Sequence, residues 1–76
     1  MVLTNLKIGE KATIVSMEKM DSGMRKKLLN LGFLPKANIE LLRFAPMGDP
    51  VAVRCANTSI ALRKSLTNQI KVKLSI

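Results

Sequence analysis

The sequence contains no histidine, no tryptophan and no tyrosine. Soft and borderline divalent metals are held by imidazole or clustered thiolate. This chain offers neither: it has one cysteine, Cys55, and five scattered acids, Glu10, Glu18, Asp21, Glu40 and Asp49. A metal centre built from its own residues is therefore not expected. Catalysis meets the same shortage. A hydroxyl or thiol nucleophile has no imidazole base to activate it. The four glycines, Gly9, Gly23, Gly32 and Gly48, form no phosphate-cradling loop and read as turn and helix-end residues. Neither an enzyme nor a bound cofactor is expected.

A lone cysteine excludes an internal disulfide and points to a reducing compartment. No apolar run approaches the ~20 residues of a membrane span. The opening Met1-Val2-Leu3-Thr4-Asn5-Leu6-Lys7 lacks the charged n-region and long apolar h-region of a secretory signal. A soluble cytoplasmic protein is the expectation.

What is present is aliphatic and basic. The 76 residues make a single domain, 1–76. With only Phe33 and Phe44 as aromatics, the core has to be built from aliphatic side chains. Short apolar runs recur every ten residues or so, broken by turn residues, as in a small barrel of short strands. Ala12–Met17 is β-branched and reads as a strand, with Ala12 and Ile14 on one face and Thr13, Val15 and Met17 on the other. The period then changes. Met20, Met24, Leu28 and Leu31 fall on one stripe of a helix over Ser22–Leu31, capped by Asp21 or Ser22 and closed by Gly32 and Pro35.

Strands follow at Asn38–Phe44, with Ile39 and Leu41 opposite Leu42 and Phe44, then at Val51–Cys55 and Ser59–Arg63. Lys64–Gln69 reads as a turn or a single helical turn. Ile70, Val72, Leu74 and Ile76 alternate with Lys71, Lys73 and Ser75 in a last strand whose lysines resist edge pairing. Short turns imply antiparallel neighbours. The fold class is all-β with one short helix, a five-stranded barrel of the SH3-like or oligonucleotide-binding kind. The helix after the first strand favours the SH3-like form.

Thirteen Lys and Arg against five acids leave a net charge of +8. The basic residues cluster at Arg25-Lys26-Lys27, Arg63-Lys64 and Lys71/Lys73. Such a surface invites an acidic partner. Barrels that bind RNA or single-stranded DNA stack bases on exposed aromatics, which this sequence nearly lacks; nucleic acid is the alternative reading, not the leading one. On a helical wheel of about 100° per residue, Leu29 falls between Arg25 and Lys26, away from the apolar stripe. That predicts an exposed leucine flanked by cations, suited to an apolar groove with an acidic rim. Phe33, Leu34 and Met47 either extend this patch or cap the barrel ends. The candidate contact residues are Arg25, Lys26, Leu29, Leu34 and Met47. Leu29→Asp is expected to abolish partner binding and leave the fold intact. Pairing of two copies through a strand edge stays open.

Several segments carry a family likeness. They are Leu3-Thr4-Asn5-Leu6-Lys7-Ile8-Gly9-Glu10, Leu28, Leu31-Gly32-Phe33-Leu34-Pro35, Pro46-Met47-Gly48-Asp49-Pro50-Val51, Ile60-Ala61-Leu62-Arg63 and the alternating tail from Ile70. In order and spacing the chain resembles the ferrous iron transport protein A (FeoA) family. The resemblance implies an SH3-like barrel in the cytoplasm. It also implies a partner, the membrane ferrous transporter FeoB with its cytoplasmic GTPase domain, for which the small protein is an accessory or regulator. Where the family usually has glycine soon after the proline, this chain has Lys36-Ala37.

Overall fold

The computed structural model describes residues 1–75; the expected place of Ile76 on the last strand lies outside them. Five strands form one antiparallel sheet: β1 (Lys11–Ser16), β2 (Asn38–Phe44), β3 (Val51–Cys55), β4 (Thr58–Leu62) and β5 (Lys71–Leu74), in the spatial order β4-β3-β2-β1-β5. Helix α1 (Ser22–Asn30) is inserted between β1 and β2, and a single helical turn, α2 (Lys64–Thr67), joins β4 to β5. This is the mostly-β architecture with one short helix that the apolar spacing predicts. The curled sheet wraps an almost purely aliphatic core of Leu3, Leu6, Ile14, Leu28, Ile39, Leu41, Val51, Val53, Ile70 and Val72 around Phe33.

Two bulges correct the facing of individual side chains. In β1 the register steps from Ile14↔Val72 to Ser16↔Lys71, so Val15 is the extra residue. One inserted residue reverses every later side chain. Met17 is accordingly buried with the core and not exposed with Thr13 and Val15. In β2 the register steps from Leu41↔Val53 to Arg43↔Ala52, with Leu42 extra. Phe44 therefore pairs with inward-facing Val51 and packs against the core, instead of standing on the face opposite Leu41.

The caps of α1 follow the predicted chemistry. The Asp21 carboxylate accepts from the Gly23 and Met24 amides at 3.1 and 3.2 Å, filling donors that the first turn leaves free. At the other end Gly32, at φ +96, reverses the chain. The Phe33 N–H donates to Leu28 O (2.9 Å) and the Gly32 N–H to Leu29 O (3.1 Å). This paired closure carries an apolar contact between its two ends, here Phe33 and Leu28, both buried. Phe33 is thus a core residue and not part of a surface patch. The same reversal leaves Leu31 43% exposed at the end of the expected stripe.

The start of the chain does more than its spacing predicts. Leu3–Asn5 forms a 3₁₀ turn, and Leu3 and Leu6 are both buried. The Leu3 N–H donates to Ile70 O and the Val72 N–H to Met1 O, each at 2.9 Å, so the first residues cover the outer edge of β5. Thr67, a fully buried polar residue, donates to Lys64 O (3.2 Å) and lies 2.7 Å from the Thr4 hydroxyl. With its one proton spent on Lys64 O, Thr67 accepts from Thr4. Ile70 and Val72 are buried as expected, whereas Leu74 is 38% exposed near the strand end.

Lys36 holds a left-handed conformation, φ +74. Its N–H donates to Ile14 O at 2.7 Å, and the Ile14 N–H donates to Ala37 O at 2.9 Å, so the loop is pinned to β1 through backbone bonds that need no particular side chain.

Candidate partner-binding surface

Helix α1 carries Arg25, Lys26 and Lys27 in succession; Lys26 and Lys27 are exposed and Arg25 is half-buried. Leu29 departs from expectation. It is half-buried and packs against the core cluster. The end of β1 and the loop after Phe33 flank that side of the helix, and a helical wheel cannot include them. A carboxylate at Leu29 would lose apolar contact and be partly desolvated, so Leu29→Asp would perturb the fold as well as the surface.

Arg25 and Leu29 do come together. They line a shallow depression of about 320 Å³ with Val15, Ser16, Met17, Glu18 and Pro35. Val15, the bulged residue of β1, is 53% exposed there. The depression is apolar along Val15, Leu29 and Pro35 and charged at its rim through Arg25 and Glu18. Leu34, 49% exposed, immediately precedes Pro35 but does not line the depression. Val15 and Pro35 lie outside the contact residues that the sequence singles out. Strand alternation puts Val15 on an outer face, but only the folded chain sets that face beside α1.

Met47 does not join this surface. It is 93% exposed in the turn that leaves β2, whereas α1 leads into the start of β2. A seven-residue strand at about 3.3 Å per residue puts its two ends about 20 Å apart. Around Met47 the turn is anchored to α2 instead. The Lys64 N–H donates to the Asp49 carboxylate at 2.9 Å, and the Lys64 ammonium lies 5.6 Å from the centre of the Phe44 ring.

A second depression, about 400 Å³, lies on the outer face of the sheet and is lined by Lys11, Asn38, Glu40, Arg54 and Ser75 among others. Its Arg54–Glu40 ion pair, 3.7 Å apart and open to water, contributes little stability. Among the described residues no group of three or more His, Cys, Asp or Glu side chains is placed to hold a metal ion.

Cys55 is buried, and its thiol donates to Gly32 O at 3.2 Å. Burial pushes the thiol above its ordinary pKa, so the unreactive protonated form persists at neutral pH. Native protein is expected to resist iodoacetamide at pH 7.5 and to be alkylated promptly once unfolded in urea; mass spectrometry of the two samples checks this. Because the folded thiol keeps its proton to higher pH than the unfolded one, its contribution to stability is present at neutral pH. It is lost as the pH rises through the alkaline thiol range.

A model of the FeoA domain matches residues 1–74. The chain belongs to the FeoA family. It is 34% identical over 74 residues, 97% of its length, to the Fe(2+) transport protein A/Fe(2+) transporter FeoB fusion protein of Porphyromonas gingivalis. It spans only 9% of the length of that fusion. Among solved structures, the FeoA protein of Chlorobium tepidum superimposes with a TM-score of 0.95 at 33% identity, covering 100% of this chain and 71% of that one. The FeoA of Stenotrophomonas maltophilia, solved in complex with zinc, gives 0.83 at 25% identity, covering 96% and 89%. That protein is described as a prokaryotic SH3 domain protein and a candidate ferrous iron transport activating factor. The chain is therefore a member of a small SH3-like family linked to ferrous iron transport, and no helix among its described residues is long and apolar enough to cross a membrane.

Proposed function

We propose that this FeoA protein is a non-enzymatic accessory factor of the cytoplasm that binds the cytoplasmic domain of a FeoB transporter and regulates ferrous iron uptake. The observation that carries this reading is the fusion: in Porphyromonas gingivalis a domain similar over nearly the whole of this chain is joined covalently to FeoB. A tether raises the effective concentration of two modules that act at one place. Tethered or not, two modules acting on one another need a contact surface. The contact we propose is the α1 face: Arg25 and Lys26 supply charge for an acidic rim, and Leu29 with Leu34 supplies the apolar strip. Met47 serves at most as a separate contact, at the far end of β2.

The test is retention of the transporter's cytoplasmic domain on immobilised protein. Wild type retains it. The double variant Arg25→Glu/Lys26→Glu reverses two charges on the helix without entering the core and is expected to lower affinity by about tenfold or more, with the unfolding midpoint measured alongside to separate lost binding from lost stability. Leu34→Asp tests the apolar strip without entering the core. Undiminished retention by both variants would place the contact elsewhere on the barrel.

A further inference from the structure

The sheet has two edges, and they are treated differently. The start of the chain covers β5 through Met1 and Leu3. The free groups of β4 follow from the alternation of antiparallel pairing. The Leu41 N–H donates to Glu10 O at 3.1 Å, so Leu41 directs its backbone groups toward β1, and Glu40 directs its own toward β3. Glu40 is opposite Arg54, so Val53 turns its groups to β4, where it faces Ile60. The N–H and C=O groups of Ser59 and Ala61 therefore point out of the sheet. No backbone hydrogen bond among the described residues engages them.

Exposed edges are ordinarily blunted by charges, proline or a bulge. The run Thr58-Ser59-Ile60-Ala61-Leu62 has no charge and no proline, and it keeps unbroken register with β3 through five successive pairs. The bulges of this fold lie in the interior strands β1 and β2. On the outer face β4 presents Ser59 and Ala61, both exposed and small, so a second backbone can approach closely.

Charge selects the occupant. Arg63 continues the outward row of Ser59 and Ala61, and Arg54 sits beside Ser59 on β3; both are exposed. Arg63 has no carboxylate partner among the described residues. A second copy would bring one body of net charge +8 against another, with no acid in either β4 to offset it. We propose that β4 is a strand-addition site for an extended acidic segment of a partner protein. Backbone bonds at Ser59 and Ala61 supply the pairing, and Arg63 receives the carboxylates, since Arg54 is already paired with Glu40. The site is separate from the α1 face and does not depend on it.

The probe is a blocked octapeptide of alternating valine and glutamate, titrated into the full chain and followed residue by residue through amide hydrogen exchange. In the free protein the Ser59 and Ala61 amides are expected to exchange fast and Ile60 slowly. Bound peptide is expected to slow Ser59 and Ala61 by about tenfold or more, leaving Ile60 slow throughout. Ala61→Pro removes one outward donor at an edge position that tolerates proline and is expected to abolish the effect. Arg63→Glu, which leaves the backbone untouched, is expected to weaken binding by about tenfold, and a valine–lysine peptide is expected not to bind. Unchanged exchange at Ser59 and Ala61 with millimolar peptide overturns the proposal, as does equal binding of the lysine peptide. Protection of both amides in peptide-free protein of dimeric mass would assign the edge to a second copy and overturn it too.

Discussion

Replacing Phe33 with alanine is expected to destabilise the protein by about 3–5 kcal/mol. The ring is the one fully buried aromatic among the described residues, set in an otherwise aliphatic core that Phe44 only flanks. It is also the closing residue of α1, bonded through its N–H to Leu28 O. Truncation leaves a cavity where helix and sheet meet, and the rigid closure around Gly32 restrains collapse into it. A chain of this length has only about 4–11 kcal/mol of stability in all. The variant should therefore unfold at a much lower urea concentration than wild type, with the same slope. A loss below about 1 kcal/mol would mean that the core does not close on this ring.

Leu3→Ala is expected to cost about 2–5 kcal/mol, a large effect for a residue so near the start of a chain. Leu3 is fully buried, and its N–H donates to Ile70 O, so it anchors the segment that covers β5. Two measurements separate its roles. The urea midpoint reports the lost packing. Exchange at the Val72 amide, which donates to Met1 O, reports whether the segment peels away locally before the rest unfolds. In the variant that amide should exchange faster than global unfolding allows. A midpoint unchanged from wild type would show the segment to be an ornament of the fold and not part of it.

Much of this fold is legible in the sequence because its elements obey their periods. The helix is announced by the change from a spacing of two to a spacing of three and four, by Asp21 before it and by Gly32 after it. The strand at Val51–Cys55 runs buried and outward in strict turn. What escapes is local and has physical causes. A bulge adds a single residue that has no side-chain signature, so strict alternation puts Met17 and Phe44 on the wrong face although it locates their strands. Phe33 resembles a loop residue until the chain reversal at Gly32 is seen to fold it back onto Leu28. The opening segment has too few residues for any period to show, and its burial depends on β5 at the other end of the sequence.

The candidate surface was legible in chemistry but not in shape. Arg25, Lys26 and Leu34 lie where a partner could reach them. Leu29 is half claimed by the core, because the neighbours that cover it come from β1 and from the loop ending at Pro35. The sequence groups Met47 with the helix by its character as an apolar loop residue, yet Met47 does not line the depression beside α1. A helical wheel describes one element, and a binding surface belongs to several.

The bond from Val72 to Met1 sets the beginning of the chain against β5, the strand that leads to the end of the described residues. A polypeptide continuing from either terminus would leave the barrel on the β5 side, at the opposite margin of the sheet from β4. A covalent leash to a larger membrane machine could thus be attached on that side with the bare margin at Ser59 and Ala61 still accessible, so tethering and strand capture need not compete for the same ground.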